Sequence, residues 1–217
     1  MEALMDVTYG MYVVSTKYNG KNVGCIVNTV SQVTAINPII SISINKESYT
    51  NEALKKNKRF VVSILSESTS PDVISKFGFF SSKDKDKFSE TVCENVDGMC
   101  VVTDNICGYA ICEVIDVVEV ETHEVFFARV IETKKVSDLA PMTYKYYHEK
   151  IKGKAPKAAP TYVEEKQENN LGKYKCIICG HIYDEAKEQV KFEDLPKDWI
   201  CPICKVGKDK FVKIKED

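Results

Sequence analysis

Several features that mark whole classes of protein are missing from this sequence. The charges nearly balance, with 30 Lys and Arg against 32 Asp and Glu, so the basic excess of a dedicated nucleic-acid binder is absent. No run of 18 apolar residues occurs, and we expect no membrane-spanning helix. The first residues lack a basic segment followed by a long apolar one, so we expect no signal peptide and a cytoplasmic protein.

Two nucleotide-binding motifs are also missing. The chain contains no G-x-G-x-x-G after a strand and no G-x-x-x-x-G-K-[ST], so neither a Rossmann unit nor a P-loop is supported. What is present is the ordinary composition of a globular protein, with 44% hydrophobic and 29% charged residues. A length of 217 residues allows one or two domains.

The nine cysteines fall into two groups. Four of them form two C-x-x-C pairs near the carboxyl end. The other five are irregularly spaced: Cys25, Cys93, Cys100, Cys107 and Cys112. Because an odd and irregular set does not suggest a disulfide framework, we expect these five to be buried thiols.

The composition changes after residue 152. The stretch "GKAPKAAPTYVEEKQENNLGK" has two prolines, a charge cluster and few large apolar residues, which is typical of a linker. We therefore predict a large domain at 1–152, a linker at 153–171 and a small domain at 172–217.

The large domain is predicted to be mainly β. Runs rich in Val, Ile and Thr are bounded by turn residues and predict strands at 12–16, 23–30, 32–45, 60–65, 110–120 and 124–133. Helical spacing appears at 47–58 and at 140–154, where Pro141 suits a first turn. Six or more strands with few helices indicate a small β-barrel with peripheral helices.

The two C-x-x-C pairs, Cys176–Cys179 and Cys201–Cys204, predict one four-thiolate metal site. Such a site can hold zinc as a structural knuckle or iron as an electron-transfer centre. Gly180 after the first pair allows a tight turn that directs backbone N–H groups at sulfur, and such bonds stabilise a reduced centre and tune its potential. Five aromatic residues of the tail are expected to pack together beside the metal: Tyr174, Tyr183, Phe192, Trp199 and Phe211.

The segment "YKCIICGHIYD…FEDLPKDWICPICKVGKDKF" resembles rubredoxin, an electron carrier with one iron held by four cysteines. The resemblance covers Tyr174 to Phe211 and implies iron on Cys176, Cys179, Cys201 and Cys204. Two departures stand out: the loop between the pairs is shorter than in most rubredoxins, and Lys205 replaces the usual glycine. We expect the Lys205 cation to favour the reduced, more negative centre.

The preceding domain resembles flavin reductases built on the FMN-binding split β-barrel. The resemblance spans about Tyr9 to Tyr162 and is carried by "YGMYVVST", "GCIVNTVSQVT", "FGFFSSKDKDKF" and "ETHEVFFARV". The order of the pieces resembles flavin reductase–rubredoxin fusions, the high-molecular-weight rubredoxin type. It implies a homodimer, FMN and iron as cofactors, NAD(P)H as substrate and a flavodiiron-type electron acceptor. From the charge balance and the lack of a long apolar run, we expect no nucleic acid and no membrane as partners.

The resemblance also implies site residues. His123 is the candidate catalytic residue facing flavin and nicotinamide. Flavin contacts are expected at Asn28, Thr29, Val30, Ser31, Gln32, Asn45, Lys46, Ser48, Thr50, Lys83, Lys87 and His148. A helix start beside Lys46 suits a phosphate, because its free N–H groups and positive dipole end attract anions. Each set also has an alternative without a ligand. Residues 28–32 could be a polar strand end, the helix after Lys46 a capped surface helix, the segment from Lys83 to Lys87 a solvated loop, and His123 an exposed side chain in a turn.

The function expected from this combination is electron transfer from NAD(P)H through FMN to iron, and then to a flavodiiron oxygen or nitric oxide reductase. One alternative is a free flavin or ferric reductase with an accessory rubredoxin. Another is a non-enzymatic interaction module with a zinc knuckle.

Overall fold

The computed structural model describes residues 4, 6–151, 159, 161, 172–188 and 190–214. It divides into two compact units, Met1–Val163 and Glu164–Asp217. Most of the predicted linker at 153–171 lies outside the described residues, and the domain boundaries at 152 and 171 stay predictions. Among the described residues, no helix combines the length and the apolar character that crossing a membrane requires.

Unit 1 is an antiparallel β structure with short helices. Its elements are β1 Tyr12–Tyr18, β2 Lys21–Val27, β3 Val30–Thr34, β4 Ile39–Asn45, α1 Tyr49–Asn57, β5 Arg59–Leu65, α2 Pro71–Phe79, β6 Cys93–Val96, β7 Met99–Val102, β8 Ile106–Val120, β9 His123–Lys135 and α3 Tyr144–Glu149. Seven strands form one sheet in the order β2-β1-β5-β8-β9-β4-β3, while β6 and β7 form a separate hairpin. The mainly β barrel with peripheral helices is confirmed.

Two apolar clusters lie on opposite faces of the large sheet. Neighbouring residues on a strand point to opposite faces, so Val13 packs in one cluster and Val14 in the other. Val61 and Val62 on β5 divide in the same way. This explains why the central strands are continuously apolar, since both of their faces are buried.

The structure corrects two of the predicted elements and adds others. The run at 32–45 is two strands, β3 and β4, joined by a turn in which Asn37 has a φ of 51°. The helix expected at 140–154 is shorter: Thr143 caps α3 through the backbone N–H of Tyr146, and Pro141 pairs with Ser66 before the helix begins. The sequence reasoning missed α2 and the β6–β7 hairpin altogether.

The cysteines outside the metal pairs are not all free thiols. Cys93 and Cys100 form a disulfide across the β6–β7 hairpin, which corrects the expectation of five unpaired cysteines. The hairpin turns at Asp97 and Gly98, both with positive φ, and so brings the two sulfurs together. Cys112 is a buried thiol as expected, whereas Cys25 and Cys107 are only partly buried.

Unit 2 has its own small core. It contains β10 Lys173–Cys176, β11 Ile182–Asp184, α4 Glu185–Glu188 and β12 Phe211–Lys213, with the three strands in the order β11-β10-β12. The five expected aromatic residues do pack together. Phe192 is central, since its ring lies 4.2 Å from that of Tyr174 and 5.8 Å from that of Trp199 between ring centroids.

Candidate functional site

The four cysteines of unit 2 meet at one point. Their sulfur atoms all lie within 4.8 Å of one another, with Cys176 and Cys204 3.7 Å apart and Cys179 and Cys201 also 3.7 Å apart. Four sulfurs placed about 2.3 Å from a central metal in a tetrahedron are about 3.8 Å apart. The residues present therefore fit a tetrahedral metal ion with four thiolate ligands.

Two matching turns carry these ligands. In the first, the backbone N–H of Cys176 bonds the carbonyl of His181 at 2.8 Å, and that of Gly180 bonds the carbonyl of Cys176 at 2.9 Å. In the second, Cys201 bonds Val206 at 2.8 Å, and Lys205 bonds Cys201 at 2.9 Å. The repeated C-x-x-C spacing thus yields two equivalent ligand loops facing each other.

Backbone N–H groups aimed at the sulfurs adjust their proton affinity. Burial raises the pKa of the Cys201 thiol, but bonds from the N–H groups of Cys204 and Ile203 outweigh it and lower the pKa to about 7. The N–H of Val206 lowers the pKa of Cys204, but burial and the neighbouring sulfurs prevail and raise it to about 12. The set favours thiolate at some positions and holds a proton at others until a cation displaces it.

Lys205 occupies a backbone position that suits glycine. Its φ is 60°, in the left-handed region, and the equivalent Gly180 has a φ of 77°. A side chain in this conformation costs roughly 1–2 kcal/mol, because the Cβ approaches the following carbonyl. The replacement of glycine by Lys205 therefore places a cation, on a strained backbone position, directly after the last ligand.

We expect Lys205→Gly to raise the free energy of unfolding of unit 2 by about 1 kcal/mol, as the relieved strain exceeds glycine's greater unfolded-state entropy. Loss of the cation should also lower the reduction potential of the centre. Thermal unfolding and a redox titration measure the two effects. Lys191→Gly is the matched control, because Lys191 has an ordinary φ of −69° and its replacement should destabilise unit 2 slightly. Destabilisation by both changes would contradict the strain argument.

In unit 1, several predicted flavin residues lie at the junction of β4, β9 and α1. The β4–β9 ladder pairs Asn45 with His123, and the backbone N–H of Lys46 bonds the carbonyl of Thr122. The His123 ring nitrogen Nδ1 lies 2.8 Å from the hydroxyl of Thr122. Residues distant in sequence, to which the resemblance assigns flavin or nicotinamide contacts, are thus brought together.

Lys46 is engaged in an ion pair that the sequence did not reveal. Its ammonium contacts the carboxylate of Glu119 on β8, and this hydrogen bond lowers the pKa of Glu119. The Lys46 side chain keeps 30% of its exposure and that of Glu119 keeps 70%. Exposed pairs of this kind contribute little stability, so Lys46 can exchange Glu119 for another anion at small cost.

The residues around the start of β3 differ in exposure. Asn28 is buried, and its amide nitrogen donates to the hydroxyl of Thr161 at 2.7 Å, while its Oδ1 is buried without a partner among the described residues. Thr29 donates to the carbonyl of Ser43 at 3.3 Å. Ser31 and Gln32 are exposed, and Val30 is half-buried. The unpaired Oδ1 is an acceptor that a ligand donor would satisfy.

The start of α1 is open to an anion. Ser48 stands at the N-cap position but makes no side-chain cap hydrogen bond. Ser48 and the buried Thr50 instead bond the thiol of Cys25, whose pKa is raised by its burial. Because no side chain caps this helix, its first N–H groups can serve a bound phosphate.

The two lysines of the predicted loop lie in different environments. Lys83 is exposed. Lys87 is buried, and its ammonium donates to the carbonyl of Gly24 at 2.8 Å and lies 5.4 Å from the centre of the Phe77 ring. Burial lowers the pKa of Lys87 to about 8. Lys87 thus holds the loop against β2, a position that the alternating charge pattern did not suggest.

His148 lies in an aromatic group on α3. Its ring contacts that of Tyr144 edge-on, at 4.3 Å between centroids. Tyr144 also interacts with Thr161, the residue that bonds Asn28. The structure therefore links His148 to Asn28 through two side chains that sequence reasoning did not select, one of them within the predicted linker.

Comparison with known proteins follows the same division of the chain. The flavin reductase like domain family matches residues 4–154, and the rubredoxin family matches residues 173–211. The "High molecular weight rubredoxin" of Moorella thermoacetica is 35% identical, over 98% of this chain and 99% of its own length. The "Ferric-chelate reductase (NAD(P)H)" of Archaeoglobus fulgidus is 33% identical, over 76% of this chain and 99% of its own length.

A solved structure supports the fold of unit 1. Nitrilotriacetate monooxygenase component B from Mycobacterium thermoresistibile superposes with a TM-score of 0.58 at 25% identity, over 65% of this chain and 78% of that one. Both family matches, the full-length relative and the four-sulfur cluster agree on one assignment. The chain belongs to the flavin reductase–rubredoxin fusions of the high-molecular-weight rubredoxin type.

Proposed function

We propose that the protein is an NAD(P)H-dependent oxidoreductase that carries electrons from NAD(P)H, through FMN, to an iron ion on the four-cysteine site, and then to a flavodiiron-type acceptor. The observation that carries the proposal is the presence in one chain of a flavin reductase fold and a cluster of four converging thiols. A hydride donor delivers two electrons together, whereas a one-iron centre takes one at a time. A flavin supplies the step between them, since it accepts a hydride and releases single electrons.

The residues of unit 1 would bind and orient the flavin. Asn28 offers its buried Oδ1 to a ring or ribityl donor, and the uncapped start of α1 offers N–H groups to the phosphate. Lys46 and Lys83 would add positive charge that attracts the FMN phosphate. His123, held by Thr122 at the edge of β9, would orient the nicotinamide rather than exchange protons with it, because hydride transfer needs no acid–base pair. Lys87 serves here to anchor the loop.

The Lys46–Glu119 pair gives this phosphate assignment a test. We expect Lys46→Gln to weaken FMN binding about 10- to 100-fold, since a charge-assisted contact contributes roughly 1.5–3 kcal/mol. Glu119→Gln should tighten FMN, because Lys46 loses its competing carboxylate. Riboflavin, which lacks the phosphate, should respond to neither change. Lys56→Gln, at an exposed lysine near the far end of α1, is the control. Equal effects on both flavins, measured by fluorescence titration, would remove Lys46 from the phosphate site.

The iron site of unit 2 would hold the metal without taking part in bond making. Four thiolates fill the tetrahedron, so no coordination position is open to a substrate. The shell of backbone N–H groups stabilises the more negative, reduced state. Ile177, Ile178 and Ile203 lie exposed within the ligand loops and would present an apolar surface beside the metal to an electron-transfer partner.

Spectroscopy tests the proposal as a whole. Purified protein should contain one iron and one FMN per chain, and NADH or NADPH added without oxygen should bleach the iron absorption. A colourless zinc protein, or iron that stays oxidised while the flavin is reduced by either nucleotide, would contradict the proposed route.

A second candidate is favoured by one comparison. The ferric-chelate reductase of Archaeoglobus fulgidus matches 76% of this chain, which extends beyond the flavin reductase match alone. In this alternative, unit 1 reduces free flavin or ferric chelates and unit 2 is accessory. A chain ending at residue 163 would then retain the full rate with the physiological acceptor, whereas our proposal expects that rate to be lost.

A further inference from the structure

The Cys93–Cys100 disulfide closes a hairpin that is already held by other contacts. Four residue pairs join β6 to β7, and all four residues of β7 are buried in the core. The hydroxyl of Ser15 also donates to the carbonyl of Cys100 at 2.6 Å. The two cysteines are only seven positions apart, and a short loop is where a disulfide gains least from chain entropy. Chain entropy therefore stabilises the fold less through this bond than through one that closes a long loop.

Both cysteines of the disulfide line a surface cavity. The cavity has a volume of about 440 Å³ and lies between the start of β2 and the loop at 82–89. Ser82 ties that loop to β2, since its hydroxyl accepts from the N–H of Gly24 and donates to its carbonyl, both at 3.1 Å. Cys93 is partly exposed, whereas only 6% of the surface of Cys100 is exposed. A small molecule entering the cavity meets Cys93 first.

The charged groups of the cavity leave a positive excess. Lys85 lies over the ring of Phe80, with its ammonium 4.7 Å from the ring centre. The carboxylate of Asp86 accepts from the backbone N–H of Phe88 at 3.0 Å and of Ser89 at 3.2 Å. Three further lining residues form no ion pair within the described part of the chain: Lys21, Lys83 and Asp84.

One uncharged side chain of the cavity has an unsatisfied hydrogen-bond acceptor. Asn22 lines the cavity, and its Oδ1 is buried without a hydrogen-bond partner in the part of the chain that the structure describes. An acceptor in this condition costs free energy until a donor reaches it. Because this oxygen is itself buried, the exposed lysines decide the ligand class, and the cavity suits a small molecule that carries a carboxylate.

We propose that Cys93–Cys100 is a redox-active disulfide that exchanges with low-molecular-weight thiols carrying a carboxylate. The thiolate sulfur of the small molecule bonds to the sulfur of Cys93, the Cys93–Cys100 bond breaks, and the electron pair leaves on Cys100, which takes a proton from water. A second thiolate then bonds to the small-molecule sulfur of the mixed disulfide and releases Cys93, which is also protonated. In sum, two small thiols become one disulfide while the protein disulfide becomes two thiols.

The exchange uses neither the flavin nor the iron, although Lys83 lines this cavity and is also a candidate flavin contact. The reductant is the small thiol itself, and the exchange requires only access to Cys93 and a leaving sulfur at Cys100. Failure of the proposed electron route would leave the disulfide proposal standing, and the reverse also holds.

The test uses the full-length, metal-loaded protein purified in air. Peptide mass mapping after denaturation and alkylation should find Cys93 joined to Cys100. Brief treatment with mercaptoacetate should then give a mixed disulfide on Cys93 and a free thiol on Cys100. The proposal fails if both cysteines are alkylated from the start, or if the bond resists mercaptoacetate until the protein unfolds.

Charge provides the second arm of the test. At equal thiolate concentration and low salt, mercaptoacetate should react about fivefold faster than 2-mercaptoethylamine, and 1 M salt should remove the difference. The double variant Lys21→Glu, Lys83→Glu should reverse the preference, whereas Lys145→Glu, outside the cavity, should not. Equal rates for both thiols in the unaltered protein at low salt would overturn the assignment of an anionic ligand, whether or not the variants fold.

Discussion

We expect the Cys201→Ser protein to be isolated without iron and with its flavin still bound. Cys201 is fully buried, and its sulfur lies 3.7 Å from that of Cys179, so a hydroxyl in its place removes a thiolate from the closed cluster. Removing a hydrogen-bond partner of a metal ligand typically lowers metal affinity about 10- to 100-fold, and removing the ligand itself should lower the affinity for iron further. Metal analysis and the absorption spectrum measure the loss directly.

The same variant should separate the stabilities of the two units. Unit 2 is small and builds its core from six buried residues, two of which are metal ligands, so its folding depends on the metal. Unit 1 buries two larger clusters of its own and should unfold at an unchanged temperature. Cys107→Ser is the control, because Cys107 lies outside the cluster and bonds the carbonyl of Leu139. Iron retained without Cys201, or flavin lost with it, would contradict the assignment.

The sequence predicted best what depends on local pattern. The strands of the large sheet follow from runs of β-branched residues, and α1 from its helical spacing. The metal cluster follows from two C-x-x-C pairs, since each pair is a complete local turn that requires only one long-range pairing. The β6–β7 hairpin carried a local signal as well. Its Asp97–Gly98 turn predicts a two-residue hairpin and would have brought Cys93 near Cys100.

What the sequence did not predict depends on contacts between distant residues. The partner of Lys46 is Glu119, 73 positions away, and it becomes a neighbour only because β8, β9 and β4 lie side by side in the sheet. Lys87 belongs to a run of alternating charges, yet its ammonium is buried against Gly24 because α2 and β2 enclose it. Thr161 falls in the linker that composition predicts, although its hydroxyl accepts a hydrogen bond from Asn28.

Separating the two units should slow reduction of the iron by NAD(P)H about a thousandfold at micromolar protein. Because unit 1 and unit 2 are joined in one chain, each experiences the other at an effective concentration of the order of millimolar. Halves 1–163 and 164–217, each at about 1 µM, meet only by diffusion, so the rate of electron transfer falls in proportion to concentration. Stopped-flow absorbance of the iron centre measures this rate without oxygen.

The concentration dependence distinguishes a tether from a docked complex. In the intact chain the rate should be independent of protein concentration, whereas for the halves it should rise linearly as either half is added. Flavin reduction by NAD(P)H should be equally fast in both preparations, because every described flavin candidate lies in unit 1 and the cut at 163 keeps Thr161 beside Asn28. Halves that match the intact chain at 1 µM would show that the units bind each other tightly, and the connection in one chain would then not be what sets the rate.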